Sequence, residues 1–399
     1  MTASATGAGR IAALDVIRGV AVMGILVANL PAFGLPDAAY FSPVAWGGTG
    51  PAARAVWAIN FVLVEGKMRG LFSLLFGASM LLVLDRARTA GESAARVHYA
   101  RMGWLFAIGL VHAYLIWWGD ILSHYALVGT VAFLFVGLPV RSLLLVGAML
   151  VAVQLLIGAL IGLTVFLPGG SGLEAVFGTP PRAELATELT ALRGGLARGV
   201  AYRIATNTNP LHFLLATGAE TLGYMLWGMA GLRSGLLTGA WERARYRRWA
   251  VTALAIGWPM YAALAWMIMT RGFDWRFVAL GSLALSTPVR PVLIVGYACL
   301  VMLALRPGGW LTERIAAAGR AAFTNYLGTS VLMTAIFYGW GLGLFGRIGR
   351  ADMYVLVPIA WAIMLLWSKP WLNRYRHGPL EWLWRSLARL EPQPMKRQR

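Results

Sequence analysis

Long runs of apolar residues recur along the whole chain, separated by short segments rich in arginine, glycine and proline. Most of the runs approach or exceed the ~20 residues that an α-helix needs to cross the hydrocarbon core of a bilayer. The pattern predicts an all-α integral membrane protein with ten transmembrane helices, near residues 11–33, 54–84, 102–118, 121–139, 142–167, 209–232, 249–270, 277–305, 320–342 and 353–368. They would form one polytopic bundle over residues 1–368, followed by a basic tail at 369–399.

Two of the predicted spans are interrupted by polar residues, glycine or proline. The second contains Glu65, Gly66 and Lys67, and the eighth contains the run Ser286–Pro291. Broken helices are tolerated inside a membrane where the freed backbone groups are buried in protein or line a cavity. Each break therefore indicates a polar interior or, alternatively, a boundary between two shorter segments.

Composition agrees with a membrane protein, because 13% of the residues are charged and the mean hydropathy is +0.66, whereas soluble domains carry about 25% charged residues. The formal net charge of +19 reflects 35 Lys and Arg against 16 Asp and Glu. Most of these basic residues fall on one side of the predicted bundle, which places both termini in the cytoplasm by the positive-inside rule. No basic segment is combined with a nucleic-acid readout motif, so we expect no nucleic-acid partner.

Three smaller expectations concern the first helix, the longest loop and the single cysteine. Asp15 and Arg18 lie close to the first apolar run, so we expect an uncleaved first helix rather than a signal peptide. The loop 168–208 contains an amphipathic pattern after Pro180-Pro181, which predicts a surface helix acting as an interfacial anchor or as a lid. The single cysteine, Cys299, excludes an internal disulfide and is interpreted as a packing residue.

Ionisable residues inside the apolar runs are the candidates for a functional site, because each charge in a bilayer costs at least ~2.5–3.5 kcal/mol. Asp15 and Arg18 share one face of the first helix at i, i+3. They are either a self-neutralising ion pair or the cytoplasmic mouth of a site, where Arg18 would bind an anionic group such as the phosphates of an acyl carrier.

A second group of charges lies near the break in the second span. Glu65, Lys67 and Arg69 alternate along the chain, and Glu220 and Arg290 are embedded in later spans. These residues either pair with one another structurally or form the polar floor of a cavity in which Lys67 or Arg69 holds an anionic substrate. Glu220 is also compatible with a silent protonated carboxyl or with a partner for Lys67, Arg69 or Arg290.

The third group contains the candidate catalytic residues His112, Asp120 and His124. A neutral imidazole can take a proton from a hydroxyl group near pH 7, and a carboxylate can orient it. Asp120 and His124 are spaced i, i+4 and would lie on one face of the fourth helix, and His112 would face them across the preceding turn. The alternative is that each histidine is a hydrogen-bonded packing residue. The sequence shows no metal-ligand spacing, phosphate-binding loop or nucleophile elbow.

Several segments resemble the YeiB-like bacterial integral membrane proteins, a family catalogued as a domain of unknown function. The segments that carry the resemblance occur in order along nearly the whole chain: Leu14–Ile25, Glu65–Lys67, Leu71–Gly77, Trp118–Leu122 with Tyr125-Ala126, Met225–Ala230, Ala322–Leu327 and Gly378–Arg385. The C-terminal signature region of the family is expected at 235–390. Asn325, within one of these motifs, joins the candidate substrate-binding residues.

The resemblance implies a function, because this family is grouped with transmembrane acyltransferases that share a similar Asp-x-x-Arg-Gly opening. It implies transfer of an acyl group, expected to be acetyl, from cytoplasmic acyl-CoA to a sugar or lipid acceptor, without a metal. The arginine-to-histidine spacing of those acyltransferases is missing here, since no histidine lies between Arg18 and His98. The catalytic base would therefore be His112 or His124.

The expected location is the bacterial inner membrane, with the lipid bilayer, acyl-CoA and the acceptor as partners. The sequence leaves the oligomeric state open, and a homo-oligomer is among the alternatives. A transporter or flippase, whose buried charges bind substrate or relay protons, is the competing function, and broken helices near the midplane suit that class as well.

Overall fold

The computed structural model describes residues 12–167, 172–206 and 210–397, without the side chains of Pro210 and His212. Seventeen α-helices occur in these ranges. The first six are α1 (Ala12–Gly34), α2 (Pro51–Leu63), α3 (Lys67–Thr89), α4 (Ala94–Val111), α5 (Leu122–Ala132) and α6 (Val140–Thr164). The next three, α7 (Glu174–Phe177), α8 (Arg182–Leu192) and α9 (Leu196–Ala205), occupy the predicted outer loop.

The second half of the chain supplies the remaining eight helices. They are α10 (Pro210–Arg233), α11 (Arg243–Thr270), α12 (Trp275–Leu280), α13 (Arg290–Ala304), α14 (Trp310–Arg320), α15 (Ala322–Phe337), α16 (Leu356–Arg374) and α17 (Pro379–Arg389). Short 3-10 helices cover Asp37–Tyr40, Phe133–Phe135 and Asp352–Val355, and π-helices cover His112–Ile116 and Gly281–Leu285. The prediction of an all-helical protein is confirmed.

Each of the ten predicted spans corresponds to one helix or to a broken helix pair. Among the described residues, six helical segments are long and apolar enough to cross a membrane, and a pair bent by 62° makes a seventh. Two shorter apolar helices, Leu122–Phe135 and Ala322–Phe337, occupy two further predicted positions. Large apolar side chains on α6 point outward, with Leu145 and Met149 both 66% exposed, as expected for contact with lipid.

Both predicted breaks are present. The second predicted span is divided into α2 and α3 at residues 64–66, where Gly66 has a φ of +72° that favours glycine. The eighth is divided by the π-helix Gly281–Leu285 and the turn that follows it, and the 62° bend lies between that π-helix and α13. π-Helices are frequent at functional sites, which draws attention to the break before α13.

The core of the bundle is built on close pairs of helices. α10 packs between α3 and α6, and α1 packs along α14. At the α3–α10 contact Gly77 faces the carbonyl oxygen of Met225, and Gly228 faces the carbonyl oxygen of Leu74. A Cβ atom at either glycine would overlap that oxygen, so the two backbones touch directly. Such close approach through small residues is typical of helix pairs in membranes.

Candidate functional site

A cavity of about 390 Å³ opens at the end of the bundle that carries Arg86, Arg101 and Arg376, called the basic end below. Its walls come from α1, α3, α4, the start of α5, the α14–α15 junction and α17. Residues distant in sequence, such as Asp15 and Tyr326, therefore line one space. The volume lies in the range of small-molecule sites.

Arginine side chains surround the mouth of this cavity. The arginines on its wall are Arg18, Arg86, Arg101, Arg320, Arg376 and Arg385. Arg18 is fixed by Asp15 at 3.1 Å and by the Ser79 hydroxyl at 2.7 Å. The predicted pairing of Asp15 with Arg18 is therefore present, and the pair lies on a ligand-sized space. A planar guanidinium suits recognition of phosphate or carboxylate groups.

The inner part of the cavity is apolar and aromatic. Along α3 the wall runs from Arg86 at the mouth to Phe72, fourteen residues and about 21 Å further in. Phe72 stacks on Tyr125 with ring centroids 5.7 Å apart, and Phe76 contacts the same tyrosine ring at 5.5 Å. The Tyr125 hydroxyl donates to the carbonyl oxygen of Arg69 at 3.0 Å. The inner end of the cavity is thus an aromatic wall held by hydrogen bonds.

α17 closes one side of the cavity at the basic end. Its Glu381 carboxylate accepts hydrogen bonds from Phe323 N at 2.7 Å and from the Thr324 hydroxyl at 2.6 Å, capping the start of α15. Burial raises the pKa of Glu381 above its usual value. The Trp384 indole donates to the carbonyl oxygen of Arg101, whose guanidinium lies 3.9 Å from the indole ring. These contacts dock an amphipathic helix against the cavity.

His112 and Asp120 form a buried pair next to the cavity. Nδ1 of His112 lies 2.9 Å from Oδ1 of Asp120, and both side chains are at most 2% exposed. Asp120 also accepts hydrogen bonds from Leu122 N and from the backbone and hydroxyl groups of Ser123. Because Asp120 accepts hydrogen bonds at both oxygens, Nδ1 of His112 is assigned as a donor to it, and in the neutral imidazole the lone pair is then on Nε2.

Nε2 of His112 is buried without a hydrogen-bond partner. A base nitrogen of this kind, with its other ring nitrogen held by a carboxylate, is the arrangement used in general-base catalysis. His112 is not on the cavity wall, but Tyr326 is, and its ring lies 5.3 Å from the imidazole ring. Tyr326 therefore contacts both this imidazole and the cavity.

His124 lies in a different environment from the one that the sequence predicts. The hydroxyl group of Thr221 donates its proton to the Thr217 carbonyl oxygen. The Thr221 oxygen therefore accepts a hydrogen bond from Nε2 of His124 at 3.0 Å. Asp120 bonds to His112 and to the first residues of α5, and no hydrogen bond joins it to His124 among the described residues. The expected Asp120–His124 pair is thus wrong, because Asp120 caps the start of α5 instead of lying on its face.

Glu220 is the centre of a buried ion network. Its carboxylate pairs with Arg69 on α3 and, at 2.6 Å, with Arg290 at the start of α13. Arg69 also donates to the Thr221 hydroxyl at 2.9 Å, and Arg290 donates to the Ser286 hydroxyl at 2.9 Å. Of the partners proposed for Glu220, two are therefore present, and the carboxyl is not silent. Removing such a carboxylate would leave two buried cations uncompensated.

The two helix breaks meet at this network. The side chain of Arg290 packs against Gly66, where any Cβ atom would overlap the guanidinium. Lys67, fully buried, donates to the carbonyl oxygen of Phe61, and its ammonium lies 3.2 Å from the centre of the Tyr261 ring. The Glu65 carboxyl interacts electrostatically with Lys67, Arg290 and Arg350. None of Glu65, Lys67, Arg69, Glu220 and Arg290 lines the cavity.

Asn325 has its polar groups occupied by protein partners. Its amide donates to the Ala318 carbonyl oxygen at 3.0 Å and to Ser368, and its carbonyl oxygen accepts from the Trp367 indole at 2.8 Å. These bonds join α14, α15 and α16. Asn325 is not on the cavity wall, so its motif is explained here by helix packing.

The structure distributes the predicted site residues over separate places. Asp15 and Arg18 lie on the cavity, His112 and Asp120 lie next to it, and His124 belongs to the Glu220 network. The sequence prediction missed Tyr125, Tyr326 and the arginines of the mouth other than Arg18, which were interpreted as topology signals. Within the described residues, no group of three or more His, Cys, Asp or Glu side chains could hold a metal ion.

The fold and the cavity define a class: a helical membrane protein with a cavity whose mouth is basic. Residues 232–391 match the family described as "Protein of unknown function (DUF418)". The chain is 35% identical to "Uncharacterized protein YeiB" of Escherichia coli K12, over 94% of this chain and 95% of that protein. It is 30% identical to "Uncharacterized protein YxaH" of Bacillus subtilis 168, over 97% and 96%. The chain belongs to this YeiB-like family.

Proposed function

We propose that the protein is a membrane-embedded acyltransferase that moves a short acyl group from acyl-CoA to a sugar or lipid acceptor. One observation carries this proposal. The cavity combines an arginine-lined mouth with an apolar interior, and Tyr326 on its wall contacts the ring of a histidine oriented by a carboxylate. The proposal rests on this geometry and on the resemblance to transmembrane acyltransferases.

The donor matches the cavity in charge and shape. The phosphates of acyl-CoA would bind among the arginines of the mouth, where charge-assisted hydrogen bonds to guanidinium groups are strong. The single pantetheine chain would extend along α3 into the apolar interior, with Arg18 partway along its length beside Ser79. A lipid with two acyl chains would fill such a narrow cavity less well.

His112 is the proposed general base. Its Nε2 would take the proton of an acceptor hydroxyl while the hydroxyl oxygen attacks the thioester carbonyl carbon. A carbon–oxygen bond forms, the carbon–sulfur bond breaks, and the thiolate of CoA leaves with the proton returned from His112. Asp120 would hold the imidazole in the correct tautomer, and Tyr326 would have to move aside. Confining both substrates in one dry site would supply much of the rate.

The membrane arrangement is part of the same proposal. We place all ten helical positions as crossings of the bacterial inner membrane, with both termini and the basic end of the bundle in the cytoplasm. Acyl-CoA would then enter from the compartment in which it is made. The acceptor would reach His112 from the opposite end, where Arg203 of α9 donates to the carbonyl oxygens of Tyr114 and Leu115.

The proposal is tested by incubating purified protein in nanodiscs with radiolabelled acetyl-CoA. We expect saturable binding, followed by slow hydrolysis or by transfer to cell-envelope extracts. The variant Arg18→Gln should weaken binding, whereas Arg141→Gln, an exposed arginine away from the cavity, should not. The absence of binding together with the absence of hydrolysis and transfer would reject the enzyme.

The meeting of the two helix breaks at Arg290 favours a second candidate, a transporter. Discontinuous helices that converge on a buried charge are typical of transporter substrate sites. In this case the Arg69–Glu220–Arg290 network would bind substrate or relay protons. Uptake or efflux by proteoliposomes that is lost in Glu220→Gln, but retained in His112→Gln, would select the transporter over the acyltransferase.

A further inference from the structure

The aromatic wall at the inner end of the cavity is fixed in position by hydrogen bonds. Tyr125 is 1% exposed, and its hydroxyl contacts the Ser73 hydroxyl at 2.9 Å and the Arg69 carbonyl oxygen at 3.0 Å. Its ring is parallel to that of Phe72, with an interplanar angle of 10°. Ser73 in turn donates to the Arg69 carbonyl oxygen. The wall therefore cannot shift without breaking hydrogen bonds in an apolar environment, which is costly.

The residues behind this wall prevent the cavity from extending deeper. The backbone that holds Tyr125 belongs to Arg69, whose side chain pairs with Glu220. A chain that passed between Phe72 and Tyr125 would enter this ion network, where an apolar group gains nothing. By contrast, the methionines on the wall nearer the mouth, Met80 and Met102, have flexible side chains that adapt to different ligands.

The length of the cavity can be compared with that of the donor. The distance along α3 from Arg86 to Phe72 is about 21 Å. The pantetheine arm has thirteen bonds between phosphorus and sulfur, and at about 1.2 Å per bond of an extended chain it spans about 16 Å. About 5 Å then remains beyond the sulfur, enough for an acyl group of about two to four carbons.

We infer that the Phe72–Tyr125 wall is the determinant of acyl-chain length and restricts the donor to short acyl groups. This inference rests on the proposed function and adds to it the residues that select the substrate. Phe72 is the member of the wall that can be changed without losing the hydrogen bonds of Tyr125. Its removal would free the volume of the ring itself, which now packs against two clusters of apolar side chains.

The test measures the affinity of purified protein in nanodiscs for acetyl-, butyryl-, hexanoyl- and octanoyl-CoA. In the unmodified protein, affinity should fall beyond the butyryl group. In Phe72→Ala the octanoyl-to-acetyl affinity ratio should rise by at least about tenfold, since each methylene that gains apolar surroundings strengthens binding about fourfold. Phe106→Ala is the matched control, because Phe106 packs on the same core but does not line the cavity.

The ratio is measured within one protein sample, so a reduced amount of folded Phe72→Ala does not affect it, and Phe72→Leu provides a milder second variant. An octanoyl-to-acetyl ratio that is the same in the unmodified protein, Phe72→Ala and Phe72→Leu would overturn the inference. Equal affinity of the unmodified protein for all four donors would overturn it as well. If no acyl-CoA of any length binds, the proposed function itself fails, and this result is distinct from the other two.

Discussion

The cavity at the basic end and the Glu220 network both contain arginines inside the apolar bundle, but the surroundings of these arginines differ. In the network two guanidinium groups converge on one carboxylate that is 1% exposed, and protein atoms fill the surroundings. In the cavity, Arg18 and Arg86 border a space of about 390 Å³. The arginines of the network are thus enclosed by protein partners, whereas those of the cavity border a space large enough for a small molecule.

The largest expected effect concerns His112 and His124, two buried histidines of which the first lies beside the cavity and the second in the Glu220 network. His112→Gln should lower the acyl-transfer rate by about 10²–10⁴-fold, because the general base is lost, while donor binding stays unchanged. His124→Gln should leave the rate within about threefold, since that histidine bonds to Thr221 beside the Glu220 network, has no carboxylate partner among the described residues and does not line the cavity. Single-turnover kinetics with labelled acetyl-CoA measures both. If His124→Gln lowered the rate and His112→Gln did not, the catalytic base would lie in the Glu220 network.

The second prediction tests whether the Glu220 network contributes to the stability of the folded protein. Glu220→Ala should destabilise the protein by about 3–5 kcal/mol, because it leaves Arg69 and Arg290 buried without their counter-charge. Glu242→Ala, an exposed glutamate at the start of α11, is the control and should change stability by less than about 0.5 kcal/mol. Thermal unfolding in detergent measures the difference. Equal stability of the two variants would show that the network is not structural.

A smaller effect is expected at the mouth of the cavity. Arg86→Gln should weaken acyl-CoA binding by about tenfold, or about 1.4 kcal/mol, with little loss of stability. Binding to the unmodified protein should also weaken as salt is added, because exposed charges are screened. Isothermal titration at two salt concentrations measures both quantities. Affinity for acyl-CoA that depends on neither salt nor Arg86 would place the phosphates elsewhere.

The smallest expected effect concerns the buried carboxyl of Glu381, which closes one side of the cavity. Glu381 is held by neutral donors and its pKa is raised by burial, so the folded protein binds a proton more tightly than the unfolded chain. The contribution of Glu381 to stability is therefore greatest at low pH and is lost as pH rises through its raised pKa. Glu381→Gln should flatten this dependence, with changes in the unfolding temperature below about 4 °C. An unaltered pH dependence in Glu381→Gln would assign it to other groups.

The sequence predicted much of the fold because apolar length and helix breakers are local signals. The breaks at Gly66 and before Arg290 were both identified, since glycine, proline and charge interrupt a span wherever it packs. The sequence also singled out Asp15 with Arg18 and His112 with Asp120 as chemistry-bearing residues. Each of these pairs is close in sequence, so short-range geometry was enough to connect its members.

The parts that the sequence did not predict depend on long-range packing. The contact of Tyr326 with His112 joins α15 to the end of α4, and no pattern in either segment indicates it. The Asp120–His124 expectation was wrong because a helix face was assumed for Asp120, which lies before the helix begins. Arginines of the mouth resemble topology signals in sequence, and only the cavity distinguishes them.

The direct backbone contact between α3 and α10 has a consequence for motion. Gly77 and Gly228 interlock with carbonyl oxygens of the opposite helix, so these two helices cannot slide along each other. Arg69 and Glu220 are carried on this locked pair and move as one body. Arg290 belongs to α13, beyond the 62° bend, so its ion pair with Glu220 joins this rigid helix pair to the second broken helix.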